Sequence, residues 1–232
     1  ITKAYSDKAR NAERSMMFMP TDIEDAPAVF MVMDKVTSEN KYMDKKFLFQ
    51  CVGEPDISGN AITVRRGTHD SRDVYKGELT SQILYPKNYK IESIGGPGKQ
   101  WWVNGHNFVP QGYENEGEEV VTTDRLDFGW GRVEISSKEQ NETEYFLNVM
   151  YMNEQGKFGT KTNGDFEIQK AELIENEDLI GGKVLNTVTL FNKGETKINS
   201  GTSFEISGNG SYKIAITGMD SGRWNVYENG TL

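Results

Sequence analysis

Residues 28–36, AVFMVMDKV, form a nearly unbroken apolar run that ends at the polar Thr37-Ser38-Glu39-Asn40. Such a run predicts a strand covered on both faces, or a central strand of a sandwich. The stretch 45–52 has the same character and stops at Gly53-Glu54-Pro55. Further strands are predicted at 13–19, 61–66, 79–85, 131–136 and 144–152. The last, EYFLNVMYM, is rich in the β-branched and aromatic residues that fit a pleated surface better than a helix. Beyond Asn153 the texture changes. Shorter strands at 166–175, 183–192, 203–206, 211–217 and 223–228 are separated by Asn-Gly, Gly-Gly, Asn-Lys-Gly and Asp-Ser-Gly, all favourable in hairpin turns. Helix is predicted only near 3–12 and around 170–178, and the second segment reads equally well as strand. Gln155-Gly156-Lys157 and Thr162-Asn163-Gly164 mark a boundary within 155–165. The expected architecture is all-β: a large antiparallel β-sandwich over 1–155, then a smaller antiparallel β unit over 156–232.

Composition narrows the function classes. The chain has 232 residues, enough to bury a substantial core, with 26 Lys+Arg against 35 Asp+Glu and a net charge of −9. That balance argues against a nucleic-acid partner, which needs a basic footprint to displace counterions. It also argues against wrapping the whole surface in an anionic polymer, while leaving room for a local basic site. A single cysteine, Cys51, excludes an internal disulfide framework; inside the run FLFQCV it reads as a small buried side chain. No stretch is long and apolar enough to cross a bilayer as a helix, and the first residues do not resemble a signal peptide. The abrupt start at Ile1 in a charged segment is expected of a fragment or a processed product.

The candidate chemistry gathers in IGGPGKQWWVNGHN, residues 94–107. A dinucleotide loop would need its glycines to open a helix, but here Pro97 follows them and a tryptophan-bearing segment comes next. A phosphate loop would need a closing Gly-Lys-Ser/Thr, which is missing. Gly95-Gly96-Pro97-Gly98 reads instead as a tight loop that needs positive φ values. If Trp101 and Trp102 share a strand they point to opposite faces, so at most one enters the core. The other covers a loop, packs on a neighbouring domain or stacks on a sugar ring. His106 follows the Asn104-Gly105 turn, and His69 lies in GTHDSRD; neither is spaced with a second His or Cys as metal ligands are. The run ENEGEE at 114–119 lacks the spacing of a calcium-binding loop and reads as a solvated acidic loop. Arg65-Arg66 and the Lys87/Lys90 pair are small basic spots, able to meet sulfate or uronate groups but equally ordinary as strand-edge charges. No Gly-x-Ser-x-Gly elbow or nucleophile–base spacing is present. The residues alone therefore expect no catalytic residue and no metal or other cofactor in this chain. They leave Trp101, Trp102, His106, Arg65 and Arg66 as carbohydrate-binding candidates.

Several segments in order carry a resemblance: ITKAYSDKARNAERSMMFM, PAVFMVMDKVTSEN, KKFLFQCVGEPDISGN, SQILYP, IGGPGKQWWVNGHNF, RVEISSKEQNETEYFLNVMY and GRWNVYENG. Together they resemble the C-terminal half of heparinase II/III-like polysaccharide lyases, over most of 1–153 and more thinly afterwards. The resemblance implies an N-terminal α/α toroid on the same parent polypeptide, a central β-sandwich, a smaller C-terminal β domain and a secreted or periplasmic bacterial location. It also implies an acidic, uronate-containing polysaccharide as substrate, cleaved by β-elimination. A base takes the proton next to the uronic carboxylate, cationic or hydrogen-bonding groups neutralise that carboxylate, and a Tyr or His protonates the leaving oxygen. The toroid that supplies the catalytic Tyr would lie before Ile1, and the Gly-His-x-His segment that opens the family's β domain is missing. Relatives often show His-Ser where this chain has Gln50-Cys51, and in some of them that His joins a structural zinc site. Gln50 is a poor zinc ligand, so no zinc site carries over. The resemblance thus implies a scaffold inactive by itself; a free-standing carbohydrate-binding module is the alternative.

Overall fold

A computed structural model describes residues 2–5, 7–24, 26–65, 76–111, 129–155, 161–162, 166–167 and 170–231. The chain is all-β. A single 3-10 turn at Thr2–Tyr5 precedes β1 (Ala9–Pro20), β2 (Ala28–Ser38), β3 (Lys46–Cys51), β4 (Asp56–Ser58), β5 (Ala61–Arg65), β6 (Gly77–Tyr85) and β7 (Tyr89–Gly95). Then come β8 (Trp102–Val103), β9 (His106–Asn107), β10 (Gly131–Ser137), β11 (Thr143–Glu154), β12 (Lys161–Thr162) and β13 (Phe166–Glu167). The last four strands are β14 (Glu172–Glu175), β15 (Leu179–Val184), β16 (Thr187–Asn192) and β17 (Lys213–Ile216). The chain divides into two compact units, Ile1–Ala171 and Glu172–Leu232.

In the first unit a six-stranded sheet, β1-β2-β11-β6-β5-β4, faces a three-stranded sheet, β3-β10-β7. The core between them is built by alternation. Phe47, Phe49 and Cys51 of β3, with Val133 and Ile135 of β10, meet Val32, Ile62, Val64, Ile83 and Phe146 of the larger sheet. Successive side chains on a strand point to opposite faces, so each strand contributes every second residue. The run at 28–36 is β2, paired on one side with β1 and on the other with β11. Its apolar continuity follows from burial of both faces: Val29, Met31 and Met33 are as buried as Val32. The strand predicted at 144–152 is β11, the sheet's centre, which pairs with both β2 and β6. Ala171 ends this unit firmly. Its N–H donates to Gln82 Oε1 at 2.9 Å and to the Tyr151 hydroxyl at 2.8 Å, and its carbonyl accepts from Gln82 Nε2 at 3.2 Å. The texture change read at 155–165 thus precedes the division found at Ala171–Glu172.

The second unit is one sheet, β14-β15-β16-β17, over a core of Ile174, Leu179, Val188, Leu190 and Ile198, with Phe204, Ile206 and Tyr212 packed against it. Three of its strands run antiparallel, and β17 joins β16 in parallel. The sequence expected one strand at 183–192. The structure makes a hairpin instead, because Leu185 turns left-handed (φ 53°) and Val184 pairs with Thr187. The segments 203–206 and 223–228 form no strand; Phe204 and Ile206 serve the core as irregular chain. Neither helical segment forms. The first becomes the short turn at Thr2–Tyr5, whose Thr2 hydroxyl accepts from the Ala12 N–H at 2.9 Å, and the second contains β14.

Candidate functional site

The glycine-tryptophan stretch leaves the small sheet at the end of β7 and forms a two-stranded ribbon, β8 with β9, closed by Asn104 (φ 48°) and Gly105 (φ 85°). Both central residues are left-handed, as a tight hairpin turn requires. Gly96 (φ 83°) and Gly98 (φ 73°) supply the expected positive φ. Gly95 is needed for another reason: a Cβ there would lie 2.3 Å from the Trp130 ring and 2.5 Å from the Trp130 carbonyl.

The two candidate tryptophans do not share a strand. Trp101 lies in the turn before β8, its N–H donating to Asn107 Oδ1 at 2.9 Å, and Trp102 opens β8. Both are half-buried, and the tryptophan that packs on the sandwich core is Trp130. His106 is exposed, with its ring edge-on to exposed Phe108 at 4.6 Å between centroids. Lys99 Nζ stands 5.9 Å from the centre of the Trp102 ring. The ribbon therefore presents the His106 imidazole, the Phe108 ring and the Lys99 ammonium to solvent beside half-buried Trp101 and Trp102.

Arg65 is not brought to this ribbon. It ends β5 on the other sheet, where Nε donates to Glu78 Oε2 at 2.7 Å and Nη1 lies 3.6 Å from Asp56 Oδ2. Its partner Glu78 is buried and also accepts from Asn153 Nδ2 at 2.8 Å, so the guanidinium acts as an internal counterion. Arg66, His69 and the acidic run 114–119 lie outside the described residues. Lys87 is exposed in the turn between β6 and β7, and Lys90 pairs with Glu92 at 2.8 Å. A cleft of about 630 Å³ opens at one end of the sandwich, with Phe49, Val64, Leu79 and Met152 on its walls and Glu24, Lys76 and Glu154 among its polar lining.

The titratable groups of the interior are engaged in structure. Burial pushes the Cys51 thiol up to about 11, which leaves it protonated and unreactive at neutral pH. Burial likewise raises Tyr151, whose hydroxyl accepts from the Ala171 N–H and donates to Gln82 Oε1 at 3.3 Å. Among the described residues no group of three or more His, Cys, Asp or Glu is placed to hold a metal ion. One cluster was not legible as a unit in the sequence. On β10, Glu134 accepts from Lys46 of β3 at 2.6 Å and from Arg132 at 2.7 Å. Burial opposes its charge, but those two hydrogen bonds prevail and hold its carboxyl below the usual range. The alternation of β3 and β10 was the available signal; the registration that joins them was not.

Residues 173–232 match the family model of the heparinase II C-terminal domain. The match starts one residue into the second compact unit and includes GRWNVYENG, so it lies outside the 1–153 stretch that carries most of the resemblance. No curated protein matches the chain.

Proposed function

With a heparinase II C-terminal domain at residues 173–232 as premise, we propose that this chain is the non-catalytic β portion of a heparinase II/III-like polysaccharide lyase. The observation that carries the reading is the order of the parts: a two-sheet sandwich followed directly by the matched unit. On this reading the parent polypeptide also contains an N-terminal α/α toroid, is secreted or periplasmic, and cleaves an acidic polysaccharide by β-elimination. A base lifts the proton beside the uronate carboxylate, the bond from the β ring carbon to the glycosidic oxygen breaks, an acid protonates that leaving oxygen, and an unsaturated uronate remains. Such chemistry needs an acid–base pair facing one cleft and a positive group for the developing enolate. The described cations Arg65, Lys46 and Arg132 are bound to carboxylates, and Tyr151 is buried in a backbone network, which supports a supporting role for these strands. The test is ultraviolet absorbance of unsaturated uronate released from heparin or alginate. The 232-residue chain is expected to release none and the toroid-bearing parent to release it steadily; product from the chain alone overturns the reading.

A free-standing carbohydrate-binding module is the second reading, favoured by the exposed ribbon with Trp102, His106 and Phe108. It expects the chain to bind an oligosaccharide from a broad glycan panel, with affinity lost in Trp101→Ala or Trp102→Ala. A blank panel removes it.

A further inference from the structure

β1 is an outer strand of the six-stranded sheet and pairs with β2 alone. In an antiparallel ladder every second residue turns its N–H and C=O away from the partner strand. The Thr2 hydroxyl shows which ones. It accepts from the Ala12 N–H at 2.9 Å and lies 3.3 Å from the Ala12 carbonyl oxygen, so the main chain of Ala12 points outward. Pairing is regular from Asn11 to Pro20, and Arg14, Met16, Phe18 and Pro20 therefore point outward too. Among the described residues nothing bonds the outward main-chain groups of Arg14, Met16 and Phe18. The side chains of Met16 and Phe18 are 59% and 57% exposed. An edge with unpaired main chain and exposed apolar side chains is a template for another strand.

The open stretch is symmetric. It is bounded at Ala12, whose groups Thr2 occupies, and at Pro20, which has no N–H to give; each lies four residues from Met16. An added antiparallel strand centred on Met16 is offered main-chain bonds at 14, 16 and 18. β1 of a second copy, turned by a two-fold axis through Met16, carries the same pattern. Met16 then faces the partner's Met16, Arg14 faces the partner's Phe18, and Ala12 faces the partner's Pro20. The charges of the strand do not block this. Arg14 is held by Asp34 through two hydrogen bonds of 2.6 Å and can cover the partner's Phe18 ring as it covers Phe47. Glu13 points to the opposite face and lies six residues, about 20 Å, from its own copy. Arg10, bound to Glu142, lies beyond Ala12 and outside the paired stretch.

We propose that this chain self-associates as a two-fold dimer through the β1 edge, joining two six-stranded sheets into one. The occupant is a second copy because the open and closed positions of the edge are complementary to themselves. A pairing of this length lies at the small end of specific interfaces, so the dimer forms over roughly 1–100 µM. The net charge of −9 on each copy opposes it and is screened by salt. Nothing in the pairing depends on the lyase reading.

Sedimentation equilibrium of the 232-residue chain across that range tests this, in about 0.15 M and about 0.5 M salt. A monomer–dimer equilibrium that persists at the higher salt is expected. A monomer throughout, or a dimer that salt dissociates, overturns the proposal. Met16→Pro removes an outward N–H and no bond to β2, and by symmetry it deletes both bonds of the central pair. The dimer is expected to weaken by roughly ten-fold or more, and unchanged affinity overturns the edge as the contact. Should Met16→Pro fail to fold, Met16→Lys decides, because it keeps the main chain and sets two ammonium groups face to face at an exposed position. A lost dimer supports the edge, and a retained one overturns it. Cysteine cross-linking under mild oxidation reads the register, with Cys51 buried and protonated. Met16→Cys is expected to form an inter-chain disulfide, since the Cα atoms of a bonded pair lie about 5.5 Å apart. Phe18→Cys is expected to form none, its copy lying four residues along the ladder, about 13 Å away. Any other pattern overturns the pairing.

Discussion

Gly95 and Gly98 stand three residues apart and are required for different reasons. At Gly98 (φ 73°) nothing lies within 4 Å of an added Cβ, so substitution meets only backbone strain. At Gly95 the added atom would meet the Trp130 ring and carbonyl, and a main-chain atom in a registered strand pair cannot step aside. Gly95→Ala is therefore expected to cost ~2–3 kcal/mol as an overpacked site, and Gly98→Ala ~1–2 kcal/mol from left-handed backbone strain. Urea midpoints of the two variants check the order, and equal midpoints would refute it. Cys51 behaves as the apolar run around it suggests. With its thiol held up to about 11, aromatic disulfide reagents at mildly alkaline pH should leave the folded chain unlabelled and modify it fully once unfolded.

Elements show where periodicity suffices and where partners intervene. β3 alternates cleanly, and Phe47, Phe49 and Cys51 enter the core as the pattern requires. β7 escapes a reading for apolar runs because Lys90 and Glu92 interrupt it, although Tyr89 and Ile91 still pack inward. The ladder that β10 builds with β3 also sets an acid limit. Glu134 titrates lower in the folded chain than in the unfolded one, so its contribution is present above the ordinary glutamate value of about 4.3 and is lost as the pH falls below it. The urea midpoint should drop on going from about pH 6 to about pH 3, and Glu134→Gln should flatten part of that drop. An unchanged acid limb in the variant would remove the ladder as its cause.

At the scale of the whole molecule, charge and partner choice are set by different features. The sequence pI of 4.9 places the solubility minimum near pH 5, where light scattering should be strongest at low salt and fall on either side. An anionic polymer must therefore find a local face rather than the average surface. The candidate residues divide along the same line. Trp102 and His106 lie on one ribbon because Asn104-Gly105 is a local turn signal, and half-buried Trp101 lies in the turn before it. Arg65 stands out in the sequence by its charge, but it is bound to Glu78, a residue that the β5–β6 pairing brings beside it.

Local backbone preference and side-chain alternation are properties of short segments, so the amino-acid order alone determined that this is an all-β chain, where most strands of its first unit run, and that Cys51 is buried. Glycine φ requirements at 96, 98 and 105 belong to the same class. Strand registration joins residues distant in sequence, and no local pattern encodes it. Only the tertiary structure decided that Lys46, Arg132 and Glu134 share a face, that Trp130 rather than Trp101 or Trp102 packs on the core, that residues 183–192 fold back as a hairpin and that β17 runs parallel to β16. Each depends on which distant strand lies alongside, a choice made by packing the whole core at once.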